Sequence, residues 1–155
     1  MNGTARPESD ASTGELLAIW LKPARRLPMK EVSSVRADAG QGLEGNANRG
    51  GRRQVTIISA EAWADAEQEL GQSVDPRSRR ANLYVRGTDL RNSRGRILRV
   101  GGCRIEIRGE TRPCKLMDDA CDGLQKALDP DWRGGAYGVM LDDGEIAVGD
   151  PVVFE

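Results

Sequence analysis

Short apolar runs separated by glycine- and aspartate-rich turns dominate the chain from about residue 15 onward. Leu16–Leu21 is one such run and ends before Pro23, whereas the β-branched run at 54–58 is typical of a buried strand. Apolar and polar positions alternate across 103–107, as in a half-buried hairpin. The other candidate strands lie at 29–35, 82–85, 97–100, 137–141, 145–148 and 152–154. We therefore expect a mostly β fold, a β-barrel with a few peripheral short helices.

Two segments have helical rather than strand periodicity. Ser59 is suited to cap the first helix, because its side chain can accept a hydrogen bond from the first turn, and Gly71 is suited to end it. Three apolar residues between them lie at helical spacing: Trp63, Ala66 and Leu70. The second segment, 114–128, has an apolar stripe and forms either one helix or two short ones broken at Gly123. Between the early strands, 33–45 has the serine, aspartate and glycine content of a long polar loop.

The length of 155 residues suits a single domain. Residues 1–14 are polar, so we expect a disordered N-terminal tail followed by one domain over 15–155. The tail has no signal-peptide pattern, and no apolar run approaches the roughly 18 residues of a membrane-spanning helix. The three cysteines form no CxxC pair, which argues against a disulfide framework and indicates a reducing, cytoplasmic location.

Composition excludes several kinds of chemistry. The chain has no histidine, which rules out a Ser–His–Asp triad, a Cys–His pair and a histidine-ligated zinc. A nucleophile or metal ligand must therefore be a cysteine, a carboxylate, a lysine or a backbone group.

The net charge of −1 conceals a strong asymmetry along the chain. Residues 76–115 contain 12 basic and 3 acidic side chains, whereas 116–155 contain 2 basic and 10 acidic ones. The two segments either neutralise each other across a compact fold or leave a basic face for an anionic ligand. Aromatic residues for base stacking are scarce, so we expect no nucleic-acid partner.

Cys114 is the leading candidate for chemistry. It lies where a strand is expected to give way to a helix, and Arg112 and Lys115 flank it. A helix N-terminus and nearby cations favour the thiolate form, which is both a nucleophile and a soft metal ligand. The alternative is a small buried core cysteine, the common fate of a free thiol. The apolar periodicity favours that core role for Cys103 and Cys121.

Arginines near glycine-rich segments are candidates for anion binding, because the planar guanidinium pairs bidentately with phosphate. The candidates are Arg52, Arg53, Arg79, Arg80, Arg112 and Arg133, of which we favour Arg80, Arg112 and Arg53 in that order. The alternative for any one of them is a solvated surface charge. Asn82 either donates to a ligand or begins a strand, and Gly134 either admits a ligand close to the backbone or forms a turn.

Five segments, in this order and spacing, resemble the MOSC domain, a family named for the C-terminal region of molybdenum cofactor sulfurases. They are GLEG at 42–45 with RQVTII at 53–58, RRANLYVRGTDL at 79–90, GRILRVGGCRIEIRG at 95–109, RPCKLMDD at 112–119, and RGGAYGVMLDDGEIAVGD at 133–150. The resemblance extends from about Glu15 to Phe154 and implies the β-barrel fold of that family. The fourth segment contains the family's cysteine, at Cys114.

The resemblance implies that the protein binds the molybdenum cofactor (molybdopterin) or carries sulfur destined for it. Cys114 would be the catalytic residue and the molybdenum ligand, and basic and polar groups would hold the cofactor. The resemblance assigns cofactor binding to Arg80 and Asn82. The chemistry of the residues themselves adds Arg53, Arg112, Arg133 and Gly134, so these six are the expected cofactor-binding residues. The chain departs from the family where an aspartate and a histidine usually follow the glycine loop, because Asn46 and Asn48 stand there.

The resemblance leaves more than one activity open. Some members reduce N-hydroxylated compounds with electrons from a docked donor protein, whereas a carrier would exchange cofactor or sulfur with donor and acceptor proteins without turnover. The alternative from another class is a non-catalytic β-barrel module for a small anion, with Cys114 structural. We expect no membrane partner. Pyridoxal phosphate is not expected either, because the chain is too short for the sulfurase domain that binds it.

Overall fold

The computed structural model describes residues 13–155, so the tail expected at 1–14 lies almost entirely outside the described residues. The strands are β1 Gly14–Leu21, β2 Lys30–Val32, β3 Ser34–Asp38, β4 Gly42–Leu43, β5 Val55–Ser59, β6 Leu83–Arg86, β7 Ile97–Val100, β8 Cys103–Glu110, β9 Ala136–Met140, β10 Gly144–Ala147 and β11 Pro151–Phe154. The α-helices are α1 Ala60–Leu70, α2 Met117–Ala120 and α3 Leu124–Leu128, and short 3₁₀ turns lie at Pro76–Arg79 and Pro130–Trp132.

Seven strands close into a barrel. In the order β11–β7–β8–β9–β5–β6–β1 each strand pairs with the next, and Gly14 of β1 pairs back to Val152 of β11. The pairing of β5 with β6 is parallel, and the other pairings of the barrel are antiparallel. Strand β2 extends the sheet beyond β1, and β10, β3 and β4 form a separate small sheet. The mostly β barrel predicted from the sequence is confirmed.

The barrel and the helices are stabilised by two apolar cores. The barrel interior is filled by alternate side chains of the strands, such as Ile105 and Ile107 of β8, which are fully buried. A second core lies between the outside of the barrel and the helices, where Trp63 of α1 packs with Leu124 and Leu128 of α3. The helices therefore cover one side of the barrel, consistent with their apolar stripes.

The first helix has the ends that the sequence predicts. The Ser59 side chain accepts a hydrogen bond from the Ala62 N–H at 3.2 Å, and Gly71 adopts a left-handed φ of 76° at the other end. The Gly71 N–H donates to the Glu67 carbonyl at 2.8 Å. Glycine adopts this backbone conformation without steric penalty, so the helix ends there.

The structure corrects two expectations about local structure. The segment 33–45 is not a continuous polar loop, because it contains β3 and β4, and Val35 and Ala37 of β3 are buried. Polar residues alternate with these two, and short runs of this kind resemble loops in composition. Helix α2 begins at Met117 rather than at Cys114, so the expectation that Cys114 opens a helix is wrong. Cys114 instead begins a turn in which its carbonyl accepts the Met117 N–H at 3.0 Å.

The segment 114–128 contains two short helices broken at Gly123, which is one of the two alternatives that the sequence allowed. Gly123 has a left-handed φ of 89° and separates α2 from α3. None of the helices found in residues 13–155 is long and apolar enough to cross a membrane.

Candidate functional site

A cavity of about 400 Å³ lies between the end of β1, the glycine loop before β5, the segment before β6 and the loop after β8. We call it the Cys114 cavity. Its lining residues are Lys22, Asn46, Asn48, Arg53, Thr56, Arg79, Arg80, Ala81, Asn82, Thr111, Arg112, Cys114, Leu116, Met117 and Gly134. Five of these described residues are cations and none is a carboxylate. The cavity is therefore suited to a strongly anionic ligand.

The five cations of the cavity have no acidic partners within residues 13–155. Other arginines of the basic segment are neutralised at the surface, in the pairs Arg77–Asp75, Arg86–Glu15, Arg91–Asp89, Arg99–Glu155, Arg104–Asp142 and Arg108–Glu106. Two of these pairs, Arg99–Glu155 and Arg104–Asp142, join the basic segment to the acidic segment 116–155, and in the other four the acid lies elsewhere. These six surface arginines pair with acids, whereas five cations without acidic partners in residues 13–155 line one cavity.

Arg80 has the environment expected of an anion-binding residue. It follows a 3₁₀ turn with a left-handed backbone, φ 61° and ψ 35°, which is uncommon for a residue with a side chain. Its Nη2 atom is buried and has no hydrogen-bond partner among the described residues. A buried charged donor without a partner is costly, and a bound anion would remove that cost.

Arg79 supplies a fixed positive charge beside Cys114. Its Nε donates to the Gly134 carbonyl and its Nη2 to the Thr111 carbonyl, both at 2.9 Å, and Nη1 approaches the Met117 sulfur at 3.8 Å. Burial lowers the pKa of Arg79, the nearby Cys114 opposes that change, and repulsion from Arg53 adds to it. Its donors are directed at protein atoms, so Arg79 contributes charge rather than hydrogen bonds to a ligand.

Gly134 permits this arrangement. A Cβ atom at that position would lie 2.5 Å from the Thr111 carbonyl oxygen and 3.4 Å from Nη2 of Arg79. The Thr111 hydroxyl also donates to the Gly134 carbonyl at 2.7 Å. The close approach that glycine allows is therefore within the protein: it brings Thr111, directly after β8, against Gly134, just before β9.

The three cysteines differ in accessibility. Cys114 is exposed at the cavity, Cys121 is half-buried against the helix core, and Cys103 is buried in the barrel. Burial raises the pKa of the Cys103 thiol, and the carboxylates of Asp142 and Asp150 raise it further. Cys114 is therefore the cysteine placed for contact with a ligand.

Two further cations complete the wall of the cavity. Burial lowers the pKa of Lys22, and repulsion from Arg80 and Arg53 lowers it further. The Arg53 guanidinium lies 4.5 Å from the centroid of the Tyr137 ring, a cation–π contact that orients it. Lys22 follows β1 and has no local motif, so sequence reasoning missed it.

Asn82 acts within the protein rather than toward the cavity. Its Nδ2 donates to the Trp20 carbonyl at 3.0 Å and to Asn46 Oδ1 at 3.1 Å, and its Oδ1 accepts the Thr56 N–H at 3.0 Å. Asn46 Oδ1 also accepts the Lys22 N–H at 2.9 Å. These amides join β1, β5 and the glycine loop at the base of the cavity.

The structure brings together most of the residues singled out in the sequence. Arg53, Arg80, Asn82, Arg112, Cys114 and Gly134 all line the cavity. Arg112 is exposed there, with no hydrogen bond or ion pair to any residue between 13 and 155. Arg133 lies outside, where its Nη1 donates to Glu69 and to the Ala127 carbonyl, both at 2.9 Å. Arg52 is exposed and does not line the cavity.

A second cavity, of about 410 Å³, lies beside α1 and has a different character. It contains four carboxylates and no cysteine. Its two arginines are paired, Arg91 with Asp89 and Arg133 with Glu69. Because its lining residues include neither an unpaired cation nor a thiol, we assign function to the Cys114 cavity.

No metal site is formed by side chains alone in the described part of the chain. Residues 13–155 contain no group of three or more cysteine, aspartate, glutamate or histidine side chains that could hold a metal ion. A metal at Cys114 would therefore need a ligand that brings its own donor atoms.

A sequence model of the MOSC domain matches residues 44–153. Among solved structures, the YuaD protein from Bacillus subtilis matches with a TM-score of 0.77 and 20% identity, over 90% of this chain and 94% of that one. YiiM from Geobacillus stearothermophilus matches with a TM-score of 0.71 and 18% identity, over 92% and 75%. YiiM from Escherichia coli matches with a TM-score of 0.67 and 16% identity, over 91% and 69%. These identities show likeness of fold alone, and no curated protein sequence matches the chain significantly.

Proposed function

Because the chain belongs to the MOSC domain family, we propose that it binds the molybdenum cofactor in the Cys114 cavity, with Cys114 as the protein's ligand to molybdenum. The observation that carries the proposal is the meeting of one exposed thiol with five cations that have no acidic partners among the described residues. The cofactor carries a phosphate, which suits the cations, and a soft metal, which suits the thiol.

The basic wall fits the anionic part of the cofactor. Arg80 would hold the phosphate, because its buried Nη2 lacks a partner in residues 13–155. Lys22 and Arg53 line the same cavity as Arg80 and would add positive charge toward the phosphate. Arg112 is exposed at the rim and free to turn toward the ligand.

The thiol fits the metal. Molybdenum accepts soft sulfur ligands, and a cysteine binds metals as the thiolate. Arg79 places a positive charge near Cys114, and the pterin dithiolene would supply the other sulfur donors. When bound, the cofactor would supply two-electron oxidation and reduction of a small substrate.

Proton transfer in the cavity falls to a lysine. Arginines do not titrate in proteins, and Asn46 and Asn48 are neutral where the family usually has an aspartate and a histidine. Lys22 is then the lining cation able to release a proton, and burial, with repulsion from Arg80 and Arg53, favours that release by lowering its pKa. We propose that Lys22 holds the proton that a reductive reaction consumes.

The test compares cofactor content among variants expressed in a host that makes the cofactor. We expect wild-type protein to copurify with molybdenum and pterin in near-equal amounts, and Cys114→Ser to lose the molybdenum because a hydroxyl is a hard, poorly ionised ligand. Arg80→Gln should bind about 10- to 100-fold more weakly, the effect of losing a charged hydrogen bond. Arg94→Gln is the matched control, because Arg94 is an exposed cation outside the cavity. Equal cofactor content in wild type and Cys114→Ser would contradict the proposal.

A reductase is distinguished from a carrier by turnover. With an artificial electron donor, loaded protein that reduces an amidoxime is an enzyme of the N-hydroxyl-reducing kind, and it would need a donor protein as partner. Loaded protein without turnover that passes its cofactor to an acceptor protein is a carrier. The exposed position of Cys114 argues against the remaining alternative, an anion-binding module in which this cysteine is structural.

A further inference from the structure

We propose that the second cavity, beside α1, is a binding site for a small aliphatic diamine. The start of α1, the turn after β6 and the 3₁₀ turn before β9 form this cavity. Among residues 13–155 it shares no lining residue with the Cys114 cavity. The inference therefore adds a second ligand to the protein and does not rest on the proposed molybdenum cofactor.

The lining of the second cavity is negatively charged. It includes two arginines and four carboxylates, which belong to Glu61, Asp65, Asp89 and Asp131. Both arginines are already engaged by acids. Arg91 pairs with Asp89 at 2.8 Å, and Arg133 pairs with Glu69, outside the lining, at 2.9 Å. A cation is therefore attracted to this cavity, whereas an anion is repelled.

Two of the carboxylates are available to a ligand. Asp65 on α1 and Asp131 in the 3₁₀ turn are exposed, and neither forms a side-chain hydrogen bond or ion pair with any residue in the range 13–155. The pKa of Arg91 is raised mainly by Asp89, and these two carboxylates add to that shift, so both lie within electrostatic range of the same guanidinium. Each of the two can therefore take one ammonium group of a ligand.

The arrangement of the carboxylates favours an organic ligand over a metal ion. Although four of them line one cavity, they do not converge, since the described chain contains no group of three or more acidic or cysteine side chains that could hold an ion. Charges that share a cavity without converging suit a ligand whose own charges are spaced along a chain. A linear diamine has such spacing.

Thr88 gives an independent indication of a ligand. It lines the same cavity and is only 8% exposed, and its Oγ1 atom is buried with no hydrogen-bond partner in the described part of the chain. A buried hydroxyl without a partner is costly, and an ammonium N–H that donates to Oγ1 would remove that cost.

Trp132 provides an aromatic wall. It lines the cavity and is half-buried, and the face of an indole ring attracts organic cations. Two carboxylates, a hydroxyl oxygen and an indole face together suit the ammonium groups and the methylene chain of a diamine.

The test is an NMR titration of the ¹⁵N-labelled full chain at constant ionic strength. The probe is linear diaminobutane, with an amine at each end, and the control ligand is the neutral butanediol of the same length. We expect saturable shifts at Thr88, Asp131 and the Trp132 indole with the diamine, and none with the diol.

Two variants separate the hydroxyl from the carboxylates. Thr88→Val should weaken diamine binding about 10- to 100-fold, the effect of losing a hydrogen bond to a charged group. The same variant should resist urea at least as well as wild type, because it removes a buried hydroxyl that has no partner in residues 13–155. A merely structural role for Thr88 would not produce this combination.

The double variant Asp65→Asn/Asp131→Asn should weaken binding by roughly 5-fold or more, since exposed ion pairs are individually weak. Asparagine tolerates the left-handed φ of 54° at position 131, so the turn is retained. Glu145→Gln is the matched control and should bind like wild type, because Glu145 is an exposed carboxylate on β10 outside the cavity.

The outcomes are independent of molybdenum binding, which is measured at the other cavity. Equal shifts with butanediol, shifts confined to the Cys114 cavity, or unchanged diamine affinity in either Thr88→Val or the double variant overturns the inference and leaves the proposed function as it stands. Saturable binding that both variants weaken and Glu145→Gln does not supports it, even if the protein never binds molybdenum.

Discussion

At the scale of single residues, environment distinguishes the three cysteines. Cys114 is exposed beside the fixed charge of Arg79, whereas burial and nearby carboxylates raise the pKa of Cys103. We predict that iodoacetamide labels Cys114 first near neutral pH and that Cys103 reacts only after unfolding. Peptide mapping after short labelling times measures the order. First labelling at Cys103 or Cys121 would contradict this account of Cys114.

Asn82 determines the stability of the base of the cavity. Asn82→Ala would remove the Asn82 side-chain partner of the Trp20 carbonyl and of the Thr56 N–H, and one of the two donors to Asn46 Oδ1. Each unsatisfied buried group costs about 1–3 kcal/mol, so we predict that the free energy of unfolding falls by at least about 2 kcal/mol. Urea unfolding measures the change.

The control for Asn82 is Asn48→Ala. Asn48 lines the same cavity but is half-buried and forms no side-chain hydrogen bond within residues 13–155. Its replacement should change the free energy of unfolding by less than about 0.5 kcal/mol. Equal losses in the two variants would show that the amide network does not support the fold.

At the scale of elements, the two ends of the connection between β8 and β9 meet where Gly134 contacts Thr111. Gly134→Ala would force its Cβ against the Thr111 carbonyl and disturb the hydrogen bonds that fix Arg79. We predict a loss of roughly 1–3 kcal/mol in the free energy of unfolding, the usual cost of forced backbone shifts, together with slower alkylation of Cys114.

The control for Gly134 is Gly102→Ala in the turn between β7 and β8. A Cβ at Gly102 would meet no atom of residues 13–155 within 4 Å. This variant should retain wild-type stability and wild-type alkylation of Cys114. An unchanged rate of Cys114 alkylation in Gly134→Ala would indicate that Arg79 does not act on the thiol.

Elements with a strong apolar signature were predictable from the sequence. The buried strands and the caps of α1 depend on local composition, as Ser59 and Gly71 illustrate. Strand β3 was not predictable, because its two buried residues alternate with polar ones within a segment rich in turn formers. The start of α2 was also misplaced, since a proline followed by an apolar stripe does not fix where helical turns begin.

The site was predictable where a motif marks it. Cys114 and Arg80 were found from local sequence and resemblance, and both line the cavity. Lys22 was missed because its contribution depends on the closure of β1 against β6 and the glycine loop, which are distant in sequence. Arg133 lies beside Gly134 in sequence, yet its side chain points to α1 and Glu69.

At the scale of the whole molecule, five cations without acidic partners in residues 13–155 line one cavity, and the positive charge of that cavity should depend on pH. Lys22 has a lowered pKa, so it loses its proton at a lower pH than an ordinary lysine. Because protonated Lys22 attracts anions, anion affinity should be highest near neutral pH and fall as the pH rises through this lowered pKa.

Calorimetric titration with sulfate tests this dependence, because the charge of sulfate is constant over that range. The measurement uses a Cys114→Ser background so that thiolate formation does not contribute. Lys22→Gln in the same background should bind sulfate more weakly and with no decline over the alkaline range. The same alkaline decline in Lys22→Gln would assign the titration to another group.

The position of molybdenum in crystals of the loaded protein tests the central claim most directly. An anomalous difference map recorded at the molybdenum absorption edge locates the metal without any assumption about the ligand. The account predicts one peak bonded to Cys114 Sγ, with the cofactor phosphate at Arg80 Nη2, and no peak in Cys114→Ser. A peak at any other place, or a loaded protein whose molybdenum has no bond to Cys114, would contradict it.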